Sequence, residues 1–431
     1  MGRKLTFAIA VALFCIQQGN AEEEGGTKVT TSGFVYYQIG QIERSFDKGS
    51  SYGAWDKAWE QHCNFRLTVD AVVQKHLRII AGVEMGWFTM VNGRGASGVF
   101  QKDIAFKEGQ GIYTFGEDPA NPNPILQVAL GYFPFKYNPQ ATNMGEYLFS
   151  YRTGAYPPYI INDFDNCKAR LLGLRISSTL SDTQLGSLRQ YLLLTSEMTM
   201  APYGDYSLSY LVGVKYQKLL DIGGGICFNR LLSADPKLTD SMGGIVYDNQ
   251  FNPVFVNGDT LDTLRYTLRA IKLMARITFD PKQLLPPLPF FGTEDGKIYC
   301  ETAVLGLKNY GSMYYDKVSK RTPLMVGFNI PVCNVLDFLS LEYERFSYPM
   351  MNDIANANSP LPTGGIDDVS KYNMNHWSLF AQKTVVKGFT IKGLIGKDHY
   401  RTVDAGGNPY KVEPLRKNGD WHYNLRFMYS F

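Results

Sequence analysis

Asp420-Trp421-His422-Tyr423-Asn424-Leu425-Arg426-Phe427-Met428-Tyr429-Ser430-Phe431 is the stretch that decides the fold. Taken in steps of two, Trp421, Tyr423, Leu425, Phe427, Tyr429 and Phe431 are aromatic or leucine, while His422, Asn424, Arg426, Met428 and Ser430 are mostly polar. A side-chain period of two describes a strand with one apolar and one wet face. In a soluble sandwich the apolar face is usually rich in Val, Ile and Leu. Here aromatics stand at both ends of it. That suits a strand crossing a membrane, its ends in two aromatic belts and its middle among acyl chains.

The same alternation runs back through the chain. After a first β-branched and aromatic strand at Val29 to Ile42, Cys63, Phe65, Leu67, Val69, Ala71 and Val73 oppose Arg66, Thr68 and Asp70. Leu77, Ile79, Ala81, Val83, Met85 and Trp87 then oppose Arg78, Gly82 and Glu84. A Lys or Arg facing lipid at the bilayer centre would cost about 2–4 kcal/mol, so the charged faces must point into a barrel. Further strands are expected at Val99 to Lys107, a weak one in a stretch rich in Gly, Asn and Pro, and at Ile125 to Phe135, Lys168 to Ser177, Leu188 to Thr199, Tyr206 to Gln217 and Leu220 to Arg230. After a long polar loop come Thr267 to Asp280, Lys297 to Lys308, Pro323 to Ile330, Leu336 to Tyr348, Asn375 to Val386, Phe389 to Tyr400 and the final strand. That makes about sixteen, an even number with both termini on one side, and short turns alternate with long loops. Pro281 to Gly296, with four prolines, cannot be a central strand and reads as an ordered loop on the short-turn side.

On the final strand and its terminal Phe431 the sequence resembles the bacterial outer-membrane β-barrel proteins, porin-like, whose members typically end in such a strand. The resemblance implies an all-β fold, a transmembrane antiparallel up-and-down barrel of about 16 strands (14–18). It also implies Trp421, Tyr423, Leu425, Phe427, Tyr429 and Phe431 as the signal read by the barrel-assembly machinery. Outer-membrane lipid as solvent, a Gram-negative host and, as a family expectation only, a homotrimer follow in the same way. The other end agrees. Arg3 and Lys4 precede an apolar run from Leu5 to Ile16, and Gly19-Asn20-Ala21 supplies small residues for cleavage. Residues 1–21 therefore read as a signal peptide, 22–28 as a flexible periplasmic lead and 29–431 as a single outer-membrane barrel with long outer loops. Cys15 follows Phe14 where a lipoprotein signal wants a small residue, so ordinary cleavage is expected.

Composition excludes several classes. Without Arg3 and Lys4 the 43 Lys+Arg fall to 41 against 40 Asp+Glu, which argues against nucleic acid or a substrate of one sign. Outside the signal no apolar run approaches a membrane helix. Aromatics reach 14% while charged residues are only 19%, as suits a barrel whose lipid-facing and polar residues alternate. The mature cysteines Cys63, Cys167, Cys227, Cys300 and Cys333 are odd in number and widely scattered, and read as apolar thiols without metal spacing.

A barrel this wide holds an aqueous channel unless something fills it. Residues 136–165 form the third long outer loop, the one that in general porins folds into the lumen, and Lys136, Tyr137, Glu146, Tyr147, Arg152, Asp163 and Asp165 are the candidate constriction. The alternative is a surface-lying, tyrosine-rich loop. Arg66, Asp70, Arg78, Glu84, Lys215, Lys272, Arg276, Glu342, Glu344 and Arg426 are the candidate lumen lining, with Glu342 and Glu344 expected beside counter-charges such as Arg66, Lys272 and Arg276. Gly131-Tyr132-Phe133-Pro134-Phe135-Lys136 is similar to a strand end of phosphate-selective porins but lacks their run of basic residues, so no anion selectivity is implied.

Chemistry is sparse. His62, His76, His376, His399 and His422 fall at strand ends or on lumen faces, and no G-x-S-x-G elbow, HExxH or phosphate-binding glycine loop occurs. Gly223-Gly224-Gly225 lies inside a strand, where glycine relieves packing. No enzyme and no cofactor are expected. The leading function is passive or weakly selective diffusion of small hydrophilic solutes. A loop-plugged barrel serving as a surface adhesin or structural outer-membrane protein is the rival, and an outer-membrane hydrolase is a weaker third.

Overall fold

The computed structural model describes residues 28–45, 55–74, 76–91, 98–116, 124–150, 169–182, 186–197, 203–237, 269–286, 291–309, 317–345, 375–400 and 417–431, with short pieces at 243–245, 253, 263, 265–266 and 415. Residues 1–27, which carry the expected signal peptide and most of the lead, lie outside the described residues.

The long strands of the first half are β1 (Lys28–Arg44), β2 (Trp59–Gln74), β3 (Leu77–Val91), β4 (Gly98–Thr114), β5 (Gln127–Phe135), β6 (Ala169–Asp182), β7 (Gly186–Ser196), β8 (Tyr206–Tyr216) and β9 (Leu220–Leu232). A small hairpin of β10 (Gly243–Ile245) and β11 (Arg265–Tyr266) interrupts the loop that follows. The wall resumes with β12 (Ala270–Phe279), β13 (Ile298–Val304), β14 (Leu324–Asn329), β15 (Phe338–Arg345), β16 (Asn375–Val386), β17 (Phe389–Lys397) and β18 (Trp421–Ser430). Each wall strand pairs antiparallel with its neighbours, β9 with β12, and β18 returns to β1 to close the barrel. The wall thus has sixteen strands. All the expected strands are present.

Alternation sets every face. On β18 the inward His422, Asn424 and Arg426 are buried, while the outward Tyr429 is exposed, as is Phe431 beyond the strand. Outward side chains on the other strands, among them Val214, Ile222, Leu273, Val326 and Tyr343, form an exposed apolar band. A water-soluble protein would bury such a band, and lipid is the solvent that suits it. No helix among the described residues is long and apolar enough to cross a membrane.

Closure runs along ten residue pairs of β1 and β18 and is extended by one further contact at its end. Gly33 and Phe431 exchange backbone hydrogen bonds of 3.0 Å in both directions, and the Phe431 ring lies 6.2 Å from Phe65 in a stacked pair. A Cβ at Gly33 would stand 2.7 Å from the Phe431 ring and 2.3 Å from the Arg66 carbonyl. Glycine is therefore required there. An aromatic ring covers the glycine from the outside, as it does in many sheets.

The strand expected at Val99 to Lys107 extends to Thr114 in the structure. Its second half, with Gly109 and Gly111, reads as loop by composition, but Phe106 folds over Gly109, where a Cβ would stand 2.2 Å from the ring. The ring replaces the missing side chain on the outer face. A register shift opposite Gly82/Val83 leaves Lys107 as a bulge, so that Lys107 reaches Glu84 and Glu108 reaches Arg66. One extra residue thereby places two neighbouring charges inside. Elsewhere the differences are a few residues at strand ends.

The β12–β13 connection is compact over its described part. A short 3₁₀ turn covers Pro281–Leu284, and the Lys282 ammonium donates to the carbonyls of Thr293 and, at 2.8 Å, Asp295. Asp295 accepts from the amides of Gly292 (2.9 Å) and Val332 (3.3 Å), which ties this connection to the β14–β15 turn.

Candidate functional site

Between β5 and β6 the chain turns into the lumen. Residues 137–149 are mostly buried, although the connection is long and hydrophilic in composition. In the ring order β5 and β15 are eight strands apart in either direction, so they face each other across the barrel. The loop reaches from one to the other.

Three carboxylates on the far wall receive it. Glu342 on β15 accepts the backbone amides of Thr142 (2.5 Å), Asn143 (2.8 Å) and Met144 (3.1 Å), and also the Tyr299 hydroxyl (2.9 Å). Glu301 on β13 accepts the Tyr137 hydroxyl (2.6 Å), the Asn138 amide side chain (2.7 Å) and the Tyr147 backbone amide (3.0 Å). Glu344 accepts the Tyr147 hydroxyl at 2.7 Å and the Gly145 amide at 3.4 Å. Hydrogen bonds to an ionised acceptor are each worth roughly 1.5–3 kcal/mol net, and leaving a buried N–H without its acceptor costs about 1–3 kcal/mol. The loop is therefore anchored at several points.

Its local conformation serves those contacts. Gly145 and Glu146 both have positive φ, +85° and +56°, and turn the chain into a single helical turn, α1 (Tyr147–Ser150). A Cβ at Gly145 would stand 2.9 Å from both Glu301 Oε2 and Met325 Cε, so this residue must be glycine on two grounds. Glu146 accepts the Asn138 amide. Burial first, and then the nearby charge of Glu301, hold the Glu146 carboxyl well above the usual carboxylate range. The Tyr137 hydroxyl is pushed up by burial and by the same acidic neighbours.

Apolar packing completes the anchorage. Tyr137, Ala141, Met144, Tyr147, Leu148 and Phe149 join one buried cluster with inward residues of the wall from β5 to β14, among them Phe133, Leu171, Leu193, Leu211, Met274 and Met325. Gly225 gives room for Leu148, and Gly223 for the Arg276 guanidinium, since a Cβ would meet them at 3.4 Å and 2.7 Å respectively.

The wall from β16 through β18 and β1 to β4 differs. It carries Arg66 with Glu108 (3.2 Å), Arg78 with Asp70, Lys107 with Glu84 (3.4 Å), and Arg426 donating to Gln38 (2.7 and 2.9 Å) while lying over the Tyr36 ring. Toward the long-loop rim, Trp55, Ala58, Tyr400 and Leu415 from two loops cap Ile42, Phe88 and Met90 in a second apolar cluster. Toward the short-turn rim a cavity of about 780 Å³ is lined by Lys215, Asp221, Lys282, Lys297 and Glu294, and by Gln140 from the inward loop.

Arg66, Asp70, Arg78, Glu84 and Lys215 lie on the inner face with water access, Lys215 being the most open of them. Lys272, Glu342, Glu344 and Arg426 are also on the inner face but buried, at 3% exposure or less, so they are not bathed by a channel. Two of the three expected counter-charges, Arg66 and Arg276, pair elsewhere. Arg66 pairs with Glu108 and Arg276 with Asp221 (3.0 Å), and the glutamates meet loop amides and hydroxyls. Tyr137, Glu146 and Tyr147 are likewise buried, as anchors of the loop. Lys136 is half-buried and donates to the Ala141 carbonyl. Arg152, Asp163 and Asp165 lie outside the described residues. Glu301 and Tyr299 went unread in the sequence. Their one signal is alternation, which places them opposite Ile298 and Cys300 on the inner face of β13. The described cysteines are free.

No family model matches the chain, and no curated protein matches it in sequence. Among solved structures, two mutants of Rh. blastica porin align over 94% of this chain and 100% of theirs, at 8% identity and TM-scores of 0.46 and 0.47. Similarity that low carries no weight on substrate or assembly. By its own closed register and outward apolar band, the chain is a closed, sixteen-strand antiparallel β-barrel with an outer surface suited to lipid.

Proposed function

We propose that the protein is a channel of the bacterial outer membrane for passive or weakly selective diffusion of small hydrophilic solutes, with the loop at 136–165 setting its constriction. The observation that carries this reading is the loop's crossing from β5 to the opposite strand β15, held there by Glu301, Glu342 and Glu344. A loop so anchored narrows the lumen without filling it, and leaves the passage to run between the loop and the polar wall. Asn143, whose side chain donates to Ser378 on β16 at 3.3 Å, stands on that side of the loop. Arg152, Asp163 and Asp165 complete the constriction in this reading. The wall charges are paired in opposite signs, so the field is mixed and selects solutes by size and hydration more than by charge.

The test is single-channel recording of the refolded mature protein in a planar bilayer, with reversal potentials in a salt gradient. Stable steps with a small reversal potential support the channel. A folded, heat-modifiable barrel that never conducts overturns it and leaves the plugged adhesin or structural barrel.

A further inference from the structure

Glu344 has two faces. One oxygen, Oε2, takes the loop contacts from Tyr147 and Gly145, and the other, Oε1, turns to two histidines. His376 stands directly opposite Glu344 in the β15–β16 register, and its Nδ1 is 3.8 Å from Oε1. His399, two residues past the end of β17, brings its Nε2 into contact with the same oxygen. The two imidazoles lie 4.4 Å apart between centroids, and one ligand atom from each of the three residues falls within 4.8 Å of the others.

We propose that Glu344, His376 and His399 bind a single divalent transition-metal ion, of the zinc or cobalt type, at the edge of the lumen behind the inward loop. Two imidazoles and one carboxylate are a donor set that suits such ions, and an open fourth position is common with it. Around an ion with bonds of about 2.0–2.1 Å, tetrahedral ligand atoms stand about 3.4 Å apart, so the three side chains need shifts of an ångström or less. The site is pre-shaped. Glu344 is fully buried, His376 is 6% exposed, and the register of two strand pairs fixes where they start. Tyr147 and Gly145 hold the second carboxylate oxygen, which orients the first toward the ion, as outer partners do in metal sites generally. The site joins the wall to the loop, so metal and loop reinforce each other. It does not depend on the barrel conducting.

The experiment is titration of the refolded full-length mature protein with Co²⁺ at neutral pH, followed by visible absorption, with zinc K-edge absorption on a Zn²⁺-loaded sample. The expected result is one equivalent of Co²⁺ giving bands of a four- or five-coordinate ion, and zinc scattering that contains two imidazoles. His376→Ala and His399→Ala should abolish the bands, Tyr147→Phe should weaken binding by about tenfold, and His422→Gln, whose ring is held by Asp398 at 2.8 Å, should leave them unchanged. Failure of folded wild-type protein to take up Co²⁺ overturns the proposal. So does binding that persists in a folded His376→Ala/His399→Ala variant. If the alanine variants do not fold, the zinc spectrum of the wild type decides alone, and absence of imidazole scattering overturns the site.

Discussion

The two arcs of the lumen wall are built from the same strand geometry but contrasting side chains. From β5 to β14 the inward residues include one large apolar cluster, set among polar side chains such as Ser209, Lys272 and Glu301, and a loop packs on that cluster. From β16 round to β4 Gln, Asn, His and paired charges predominate, and the apolar residues there form only small clusters such as Phe380 with Leu394. On the outside, both arcs present the same apolar band. The difference shows that inward polarity in this barrel follows what each arc faces. One faces the apolar residues of its own inward loop, and the other is knit together by hydrogen bonds and ion pairs.

Four changes would break or sharpen that contrast. The largest effect is expected from Glu342→Ala, which strands the buried amides of Thr142 and Met144 at a cost of about 1–3 kcal/mol each, removes the acceptor of Asn143, and frees the loop from its opposite wall. Open-channel conductance should rise several-fold in planar bilayers, and an unchanged conductance would show that the loop limits nothing. Gly145→Val follows, since it introduces both a Cβ clash and a left-handed valine; the left-handed backbone alone costs roughly 1–2 kcal/mol. A lower temperature for the heat-induced gel shift and a smaller conductance gain should accompany it.

Third is pH. The seated loop holds Glu146 above its ordinary value, so seating favours the neutral acid, and that contribution is present below the ordinary carboxylate range and lost as pH rises through the raised value. Glu301 faces this group with negative charge and Lys136 with positive. Conductance should therefore increase from acid toward neutral pH, and Glu146→Gln should flatten the profile while keeping the loop seated. The smallest effect is on the polar arc. Arg78→Gln breaks a hydrated pair with Asp70, which should cost about 1 kcal/mol or less in stability while moving the reversal potential toward cations.

Much of the wall was legible because period-two alternation leaves its mark residue by residue. Ser340, Glu342 and Glu344 against Leu341 and Tyr343 is an example, the first three buried and the other two exposed. The filled arc also left a trace. Leu192-Leu193-Leu194 is apolar on both faces of β7, where Leu193 is buried inside and Leu192 exposed outside, and a strand apolar on both sides has something packed on each. The anchoring was not legible. Glu342 is met by backbone amides of Thr142, Asn143 and Met144, which every residue except proline carries, so no side-chain pattern announces them. Glu301 meets Tyr137 from more than a hundred residues away, and only the closed ring brings them together. Gly109 misled in the other direction, since its strand character comes from Phe106 lying over it.

The clasp between Gly33 and Phe431 has a kinetic consequence. Fifteen of the sixteen strand pairings join wall strands consecutive along the chain and form through hairpin-like contacts, but β1 with β18 is the longest-range pairing the sheet contains. Until it forms, the sheet has two open edges whose N–H and C=O groups must find water, lipid headgroups or another chain. Ring closure over such a length is slow in entropy terms, so the vulnerable species in assembly is an open, nearly complete sheet. At this longest-range joint the Phe431 ring covers Gly33, so the seam carries its own cover when it shuts.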